Sequence, residues 1–461
     1  MKTSFLNTML VALIISTLVI AQSCSQSHGN GERRDKIEIP DLLERHESLG
    51  SAQEKQLVKS AYQKLVNQIE NDTSQNPKPI LDLAALFINE ARVTANHEHY
   101  NTAALHVLDK VIEYPSIKKD AIFQAKSLKA SVLLSQHQFK QALELGQAAV
   151  KLNAYNAQIY GVLVDANLEL GNYKQAVIMS DKMMSIRPDL RSYSRVSYLR
   201  EIHGDFKGAI EAMELAVQAG YPGYEETEWC RTILGGLYLK YGEAKKAKEI
   251  FEHSLQVRAD YPPALAGLAK ARTILYPENG EKELGSLKKA IDISPNAGYF
   301  AQLGSWYKNN GFENAANENL DKAEDKLKHH THGKSKEHGH SHDGSFDLAK
   351  FYLQYTDNTR EALHQAQHEL ESRPANIEVN WVIAGSYLKM EENAKAQEFI
   401  QRALATGTKD PEILTTAGLI YMKNGAMEEA IAMLQESFRI CKYQKYVFSK
   451  EARAILDKFM N

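Results

Sequence analysis

Cysteine, net charge and catalytic motifs are what this sequence has least of. Its 461 residues include only three cysteines, so packing rather than a disulfide framework must stabilise the fold. The formal net charge is −3, which gives no reason to expect a nucleic acid as partner. The sequence contains no glycine-rich phosphate loop, nucleophile elbow or metalloprotease helix motif. It therefore favours neither an enzyme nor a nucleic-acid-binding protein.

Long apolar runs are also scarce, and the clearest one lies near the N-terminus. Residues 9–20 are apolar, and a few small and polar residues separate them from Cys24. This pattern is typical of a secretory signal, and the cysteine resembles the lipidation site of a bacterial lipoprotein. We expect residues 1–23 to be a signal peptide, Cys24 to carry a lipid, and residues 24–51 to be a polar tether. Secretion without lipidation is the alternative.

A small residue followed three positions later by tyrosine or leucine recurs along the chain. Leu234-Gly235 leads to Tyr238, and Ala417-Gly418 leads to Tyr421. A small side chain is needed where two helices approach closely, and a larger one then fills the adjacent groove. The small-residue position of the first helix recurs ten times, mostly 33 to 39 residues apart, at Ala91, Ala130, Val164, Ser197, Gly235, Ala269, Gly304, Ala349, Gly385 and Gly418.

A second helix is predicted in each unit by a small and then a large residue at fixed offsets. Examples are Ala247 with Phe251, Ala316 with Leu320 and Ala430 with Leu434. Helix–turn–helix units of about 34 residues are the signature of tetratricopeptide repeats. The chain resembles tetratricopeptide lipoproteins of Bacteroidota-type bacteria, most strongly in the stretch that runs from residues 152–156 through residues 191–205. The resemblance implies binding or scaffolding and brings no catalytic residues with it.

The expected fold is all-α, a right-handed α-solenoid of about ten units with a helix capping each end. We expect distortion in the unit that contains residues 276–280, because these lengthen its turn. Cys230 and Cys441 lie far apart in helical patterns and are predicted to be buried free thiols. The predicted segments are a capping helix and linker (52–79), the first part of the array (80–328), a His-rich disordered insertion (329–344), the second part (345–444) and a capping helix (445–461).

One helix carries the first candidate binding residues. Arg191, Arg195 and Tyr198 are spaced so that they share one face, and arginines beside an aromatic ring suit a carboxylate or phosphate group. First helices line the concave wall of such arrays, so this face is a candidate surface for a partner. The alternative is that the arginines pair with acidic residues of the same segment, such as Glu201 or Asp205, and make the helix soluble.

Histidines interrupt the repeat pattern between two units. Neutral imidazoles at close spacing can bind Zn²⁺, Ni²⁺ or Cu²⁺ from a flexible backbone, since these metals favour nitrogen ligands. A hydrated insertion without function is the alternative. The six candidate ligands are His329, His330, His332, His338, His340 and His342.

These features predict a non-catalytic scaffold of the cell envelope that holds a peptide or protein partner on the concave face of the solenoid. We expect its lipid to anchor it to a membrane, with the outer membrane as the expected one. A metal-handling accessory protein that uses the His-rich segment near a transporter is the first alternative. A glycan-capturing outer-membrane lipoprotein is the second, disfavoured because the sequence has only three tryptophans and no evident platform for a sugar. Of these, Trp381 occupies the repeat's own tryptophan position and is expected in the core.

Overall fold

The computed structural model describes residues 37–72, 74, 76–112, 117–331 and 345–460. Within these ranges the chain forms twenty-two α-helices and one 3-10 helix, and it contains no β-strand. None of the described helices combines the length and apolarity that crossing a bilayer requires. The expected all-α class is confirmed.

Ten helix pairs follow one another, and we number them units 1 to 10. Each first helix packs against the second helix of its own unit, and each unit packs against the next, as in a solenoid. Helix α1 (Ala52–Glu70) precedes the pairs and α22 (Ser449–Met460) follows them. The pairs are α2 (Lys78–Thr94) and α3 (His97–Ile112); α4 (Lys119–Ser135) and α5 (Phe139–Leu152); α6 (Ala157–Glu169) and α7 (Tyr173–Ile186); α8 (Leu190–Ile202) and α9 (Phe206–Ala219); α10 (Glu225–Lys240) and α11 (Ala244–Val257); α12 (Pro262–Leu275) and α13 (Gly285–Ile293); α14 (Ala297–Asn309) and α15 (Glu313–Thr331); α16 (Ser345–Tyr355) and α17 (Thr359–Ser372); α18 (Ile377–Lys389) and α19 (Asn393–Ala403); α20 (Pro411–Lys423) and α21 (Met427–Ile440).

Close approach of the two helices within a unit explains the recurring small residues. A Cβ atom added at Gly235 would lie 2.6 Å from the ring of Phe251, and one added at Gly418 would lie 2.6 Å from Leu434. Both distances are far below van der Waals contact, so a larger residue would push the helices apart. The predicted pairing of a small residue on the first helix with a large one on the second is confirmed.

The sixth unit departs from the others where the sequence predicted a longer turn. A 3-10 helix, Pro277–Leu284, lies between α12 and α13 and shortens the second helix of the unit. Both remaining cysteines of the described chain, Cys230 and Cys441, are buried and free, as expected.

Residues 37–50, which we call the strap, correct the expected tether of residues 24–51. Ile37, Ile39 and Leu42 pack against the core of unit 1. The Leu43 amide donates to the Tyr100 hydroxyl at 3.0 Å, and Leu49 is buried. Apolar residues at short intervals give this part of the stretch a surface to bury, which the polar residues ahead of it lack. Residues 24–36, including Cys24, lie outside the described residues.

Candidate binding lumen

Contacts between residues about 204 apart show that the solenoid closes a turn every six units, because six 34-residue repeats span that distance. The Arg373 guanidinium lies 2.6 Å from a Glu169 carboxylate oxygen. The Ile377 amide donates to the Tyr173 hydroxyl at 2.8 Å. We call this line of contact between successive turns the seam.

Units 4 and 5 continue the seam through contacts with backbone oxygens and an ion pair. The Thr406 hydroxyl donates to the Ile202 carbonyl oxygen at 2.5 Å, and the Lys240 ammonium pairs with Asp410. The Cys441 thiol lies 3.8 Å from the Leu239 carbonyl oxygen. Units 3, 4 and 5 therefore rest on units 9 and 10 and on the residue that follows unit 10.

Three glycines show how closely the turns approach. Gly171, Gly204 and Gly242 occupy the left-handed region in the turns of units 3, 4 and 5, with φ of +77°, +82° and +82°. A Cβ atom would meet the backbone of Ala375 at 2.5 Å, the Gly407 carbonyl at 2.5 Å and the Ile440 carbonyl at 3.0 Å, respectively. Glycine is required at these three positions for two reasons. The left-handed backbone conformation disfavours other residues, and the adjacent turn leaves no room for a Cβ atom.

Arg373 is the central ionic group of the seam. Its side chain is 1% exposed and donates to Glu369 at 2.8 Å as well as pairing with Glu169. The guanidinium also lies over the rings of Phe139 at 5.3 Å and Phe346 at 4.8 Å. Carboxylates and aromatic faces together compensate the loss of water around a buried cation. Units 2, 3 and 8 meet at this one side chain.

The closed turns surround a cavity of about 660 Å³, which we call the lumen. First helices supply most of its wall, as the sequence predicted for the concave face. Its polar and aromatic lining includes Ser194, Tyr198, Trp229, Thr232, Gln302, Ser305, Trp306, Gln354 and Tyr355. A second depression, of about 710 Å³, lies between the end of α1 and the start of α2 and has no aromatic residue in its lining.

Charged groups of both signs face the lumen. Burial lowers the pKa of Lys270, and no hydrogen bond or ion pair engages its ammonium within the described residues. Burial raises the pKa of Glu412, which accepts a hydrogen bond from Gln354 at 2.6 Å. Lys350 is buried and lies 5.4 Å from the centre of the Trp381 ring. The wall can thus meet a ligand with either a donor cation or an acceptor carboxylate.

The tryptophans divide between core and wall. Trp381 is 2% exposed and donates from Nε1 to the Thr416 hydroxyl at 2.9 Å, which confirms its expected place in the core. Trp229 and Trp306 are half-buried and line the lumen. The sequence could not show this, because first-helix positions facing the core and the lumen alternate within a single turn of helix.

The predicted partner-binding residues do not act as one group. Arg195 donates to Asp165 at 2.9 Å, and Arg191 pairs with Glu226 at 2.6 Å. Both partners belong to neighbouring units and not to the arginines' own helix. Of the three predicted residues, Tyr198 is the one that lines the lumen.

The predicted metal ligands lie at the limit of what the structure describes. His329 and His330 fall in the last turn of α15, whereas His332, His338, His340 and His342 are outside the described residues. Among the described residues, no group of three or more histidine, cysteine or acidic side chains is arranged to hold a metal ion.

Comparison with known proteins points to the same repeat. Residues 411–443, which contain α20 and α21, match the family model described as Tetratricopeptide repeat. This match covers one unit, and the nine preceding pairs of the described chain repeat its helix–turn–helix form.

Curated relatives cover only part of the chain. The Vi polysaccharide export protein VexE of Salmonella typhi is 29% identical over 126 residues, 27% of this chain and 18% of the relative. Anaphase-promoting complex subunit 7 of Dictyostelium discoideum is 24% identical over 213 residues, 38% of this chain and 36% of the relative. The matched region thus spans about a fifth to a third of these relatives.

Solved structures of similar proteins are shorter arrays. A thermophilic tetratricopeptide protein of Thermus thermophilus has 18% identity, a TM-score of 0.36, and covers 42% of this chain and 98% of its own. YrrB, described as having an unusual peptide-binding site, has 21% identity, a TM-score of 0.29, and covers 42% and 94%. A protein of Parabacteroides merdae has 19% identity, a TM-score of 0.34, and covers 59% and 99%. The pairing of helices within this chain, rather than these scores, carries the fold assignment.

Proposed function

We propose that this protein is a non-catalytic scaffold that holds an extended segment of a partner protein inside the lumen. The observation that carries the proposal is the lumen itself, with its wall of first helices around about 660 Å³. A cavity of this size is within the range of roughly 300–1,000 Å³ typical of ligand pockets. An extended peptide fits such a space, whereas a folded domain does not.

The chemistry of the wall also favours a polypeptide. Amide side chains such as Gln302 and Gln354 can pair with a peptide backbone, and the half-buried rings of Trp229 and Trp306 offer apolar contact. Charges of both signs suit a peptide of mixed composition better than they suit a uniformly charged polymer. Binding then depends on shape and a few polar anchors, without a reaction.

Photocrosslinking from inside the lumen tests this function. Tyr198 is replaced by benzoylphenylalanine, a photoreactive derivative of phenylalanine, and cells that carry the full chain are irradiated. The matched control places the same residue at Tyr155, which is 84% exposed on the outer surface. We expect a discrete protein adduct from position 198 that is absent at position 155. Capture of glycan in place of protein, or no difference between the positions, contradicts the proposal.

We further propose a location in the cell envelope, with the protein anchored to a membrane by a lipid on Cys24. The support is the apolar run of residues 9–20 and the cysteine that follows it. Labelled palmitate should enter the wild-type protein and not the Cys24→Ser variant. Labelling of both variants, or of neither, contradicts lipidation at this residue.

Metal handling by the His-rich segment is a separate proposal that rests on its six histidines. Deletion of residues 329–344 should abolish binding of Zn²⁺, Ni²⁺ or Cu²⁺ by the purified protein while adducts from position 198 persist. Retained metal binding after the deletion contradicts a metal role for this segment.

A further inference from the structure

We infer that the lumen is reached only along its axis, so that its occupant is a free chain end, an unfolded terminal tail of the partner. This inference rests on the proposed peptide-binding function and adds which kind of segment can bind. A folded domain is too large to enter, and an internal loop would have to enter through the open end as two strands side by side, which a lumen of about 660 Å³ disfavours.

The first step is that the seam is continuous over the described residues. Unit 2 meets the end of unit 8 through Phe139 and Arg373, and unit 3 meets unit 9 through Tyr173 and Ile377. Unit 4 meets unit 10 through Ile202 and Thr406. Unit 5 meets residue 441, which follows unit 10. No unit from 2 to 5 leaves its edge free, and sideways passage would require these contacts to break together.

The second step is that the strap closes the earlier part of the turn. Arg45 in the strap donates to Glu90 of unit 1 at 2.7 Å and pairs with Glu54 of α1 at 2.7 Å. Glu54 in turn pairs with Arg258, the residue that ends the second helix of unit 5, at 3.0 Å. Leu49 packs in the same cluster as Ala266, a residue of the lumen wall. The strap thus fastens unit 1 to unit 6 beside one end of the lumen.

The third step identifies the open end. Lining residues that are exposed to solvent gather at the turns of units 7 and 8, in the segment before α22 and at the start of that helix, with Gly298 as the exception. They include Lys308, Asp357 and Lys445. The glycine in the turn of unit 7, Gly311, has nothing within 4 Å of an added Cβ, in contrast to the seam glycines. These turns have no further turn of the solenoid against them in the described structure and form the mouth.

Thiol accessibility tests the sealed wall without reference to any partner. Thr273 lines the lumen and Tyr155 lies outside, so each is changed to cysteine in a Cys24→Ser background, where Cys230 and Cys441 are buried. A small maleimide should label both sites. A maleimide joined by a short linker to a folded carrier protein should label Tyr155→Cys readily and Thr273→Cys at least about tenfold more slowly, because a folded domain cannot enter the lumen. Equal relative rates with the two reagents would show that the wall opens sideways and would overturn the inference.

A peptide library in two formats tests the free chain end. Random peptides are displayed either as a free terminal tail of a small carrier protein or as a loop closed at both ends within that carrier. We expect tails to be enriched on the immobilised full-length protein, with loops of the same sequences binding at least about tenfold more weakly. Equal binding of both formats overturns the inference.

The two measurements separate the possible failures. If neither tails nor loops bind, the peptide-binding function fails and the chain-end occupant fails with it. The thiol measurement then still decides whether the lumen is sealed, because it uses no peptide.

Discussion

At the scale of single residues, Arg373 is the central ionic group in the contact between the first and second turns of the solenoid. Arg373→Ala would leave Glu369, which is buried, without its cation, and Glu169 without its partner across the seam. Removing one member of a buried pair costs about 3–5 kcal/mol, because the remaining charge stays without compensation. We expect a large fall in the unfolding temperature, measured by circular dichroism.

Arg439→Ala is the matched control for that prediction. Arg439 also pairs with a glutamate in its own segment, Glu436 at 2.7 Å, but its side chain is 64% exposed. Exposed pairs contribute little, so its melting temperature should stay close to that of the wild type. A similar loss in both variants would mean that the seam does not stabilise the protein through Arg373.

Glu169 gives the seam a predicted dependence on pH. Burial raises its pKa to about 7 from the usual 4.5, although Arg373 acts in the opposite direction. The folded chain therefore keeps a proton that the unfolded chain releases between these values. The free energy of unfolding should fall as the pH rises from about 4.5 to about 7, by at most about 3 kcal/mol, and should then level off.

Glu169→Gln tests that dependence. The variant lacks the titrating group, so the fall in unfolding temperature between pH 5 and pH 8 should be smaller than in the wild type. It should not vanish, because burial also raises the pKa of Asp347 to about 7. An unchanged fall in the variant would show that Glu169 does not keep its proton in the folded protein.

Residue-level expectations from the sequence were least successful where partners come from other units. The face of Arg191, Arg195 and Tyr198 was predicted from spacing within one helix. The acidic partners observed, Glu226 and Asp165, lie 35 and 30 residues away, about one repeat in either direction. Spacing within one helix cannot reveal these pairs, because they depend on how neighbouring units are rotated against each other.

At the scale of helices and turns, the sequence was informative because one local rule repeats. A small residue is needed wherever two helices cross closely, and the ten predicted positions fall on the ten first helices of the structure. The rule failed to predict the strap, because residues 37–50 are neither periodic nor part of a unit. Their burial depends on a groove that other elements create.

A glycine-to-alanine substitution can be compared at Gly204, in a turn of the seam, and at Gly425, in an equivalent turn with nothing packed against the glycine. Gly204 and Gly425 have φ of +82° and +83°, so alanine introduces the same backbone strain at both, about 1 kcal/mol. At Gly204 the new Cβ would also lie 2.5 Å from the Gly407 carbonyl, whereas Gly425 has nothing within 4 Å. We expect Gly204→Ala to cost roughly 1–3 kcal/mol more than Gly425→Ala, because the turns must move apart.

Chemical denaturation of the two glycine variants measures the difference in their free energies of unfolding. Combining Gly204→Ala with Thr273→Cys adds a second measurement, since a parted seam should speed labelling of the lumen by the maleimide on the folded carrier protein. Equal stabilities, together with unchanged labelling, would show that the two turns do not press on each other in solution.

At the scale of the whole molecule, the closure of a turn every six units is the property that the sequence least reveals. A repeat of about 34 residues sets the helix pairs, but the number of units in a turn follows from a small rotation between neighbours that accumulates along the array. Packing at every interface contributes to that rotation. The seam could therefore be recognised only once residues such as Glu169 and Arg373 were seen side by side.

The prediction at this scale concerns Arg45→Glu, a variant that should release the strap from its groove. Arg45 is 4% exposed in its side chain and faces Glu90, which is 1% exposed, so Arg45→Glu would place two buried carboxylates against each other. Relief of that repulsion requires the strap to leave its groove. We expect faster hydrogen–deuterium exchange in residues 37–50, including the Leu43 amide that donates to Tyr100, while units 7 to 10 keep their protection.

Lys78→Glu provides the control, because Lys78 is 75% exposed and its partner Asp82 is 48% exposed. The same reversal of charge at an exposed site should leave exchange in the strap unchanged.

Because the strap fastens unit 1 to unit 6, its release should also widen the first turn, and small-angle X-ray scattering should record a larger radius of gyration for Arg45→Glu alone. Faster exchange throughout the chain would instead indicate that the array unfolds as one unit when the strap is lost. Unchanged exchange and radius would show that the Arg45 contacts do not hold the first turn closed.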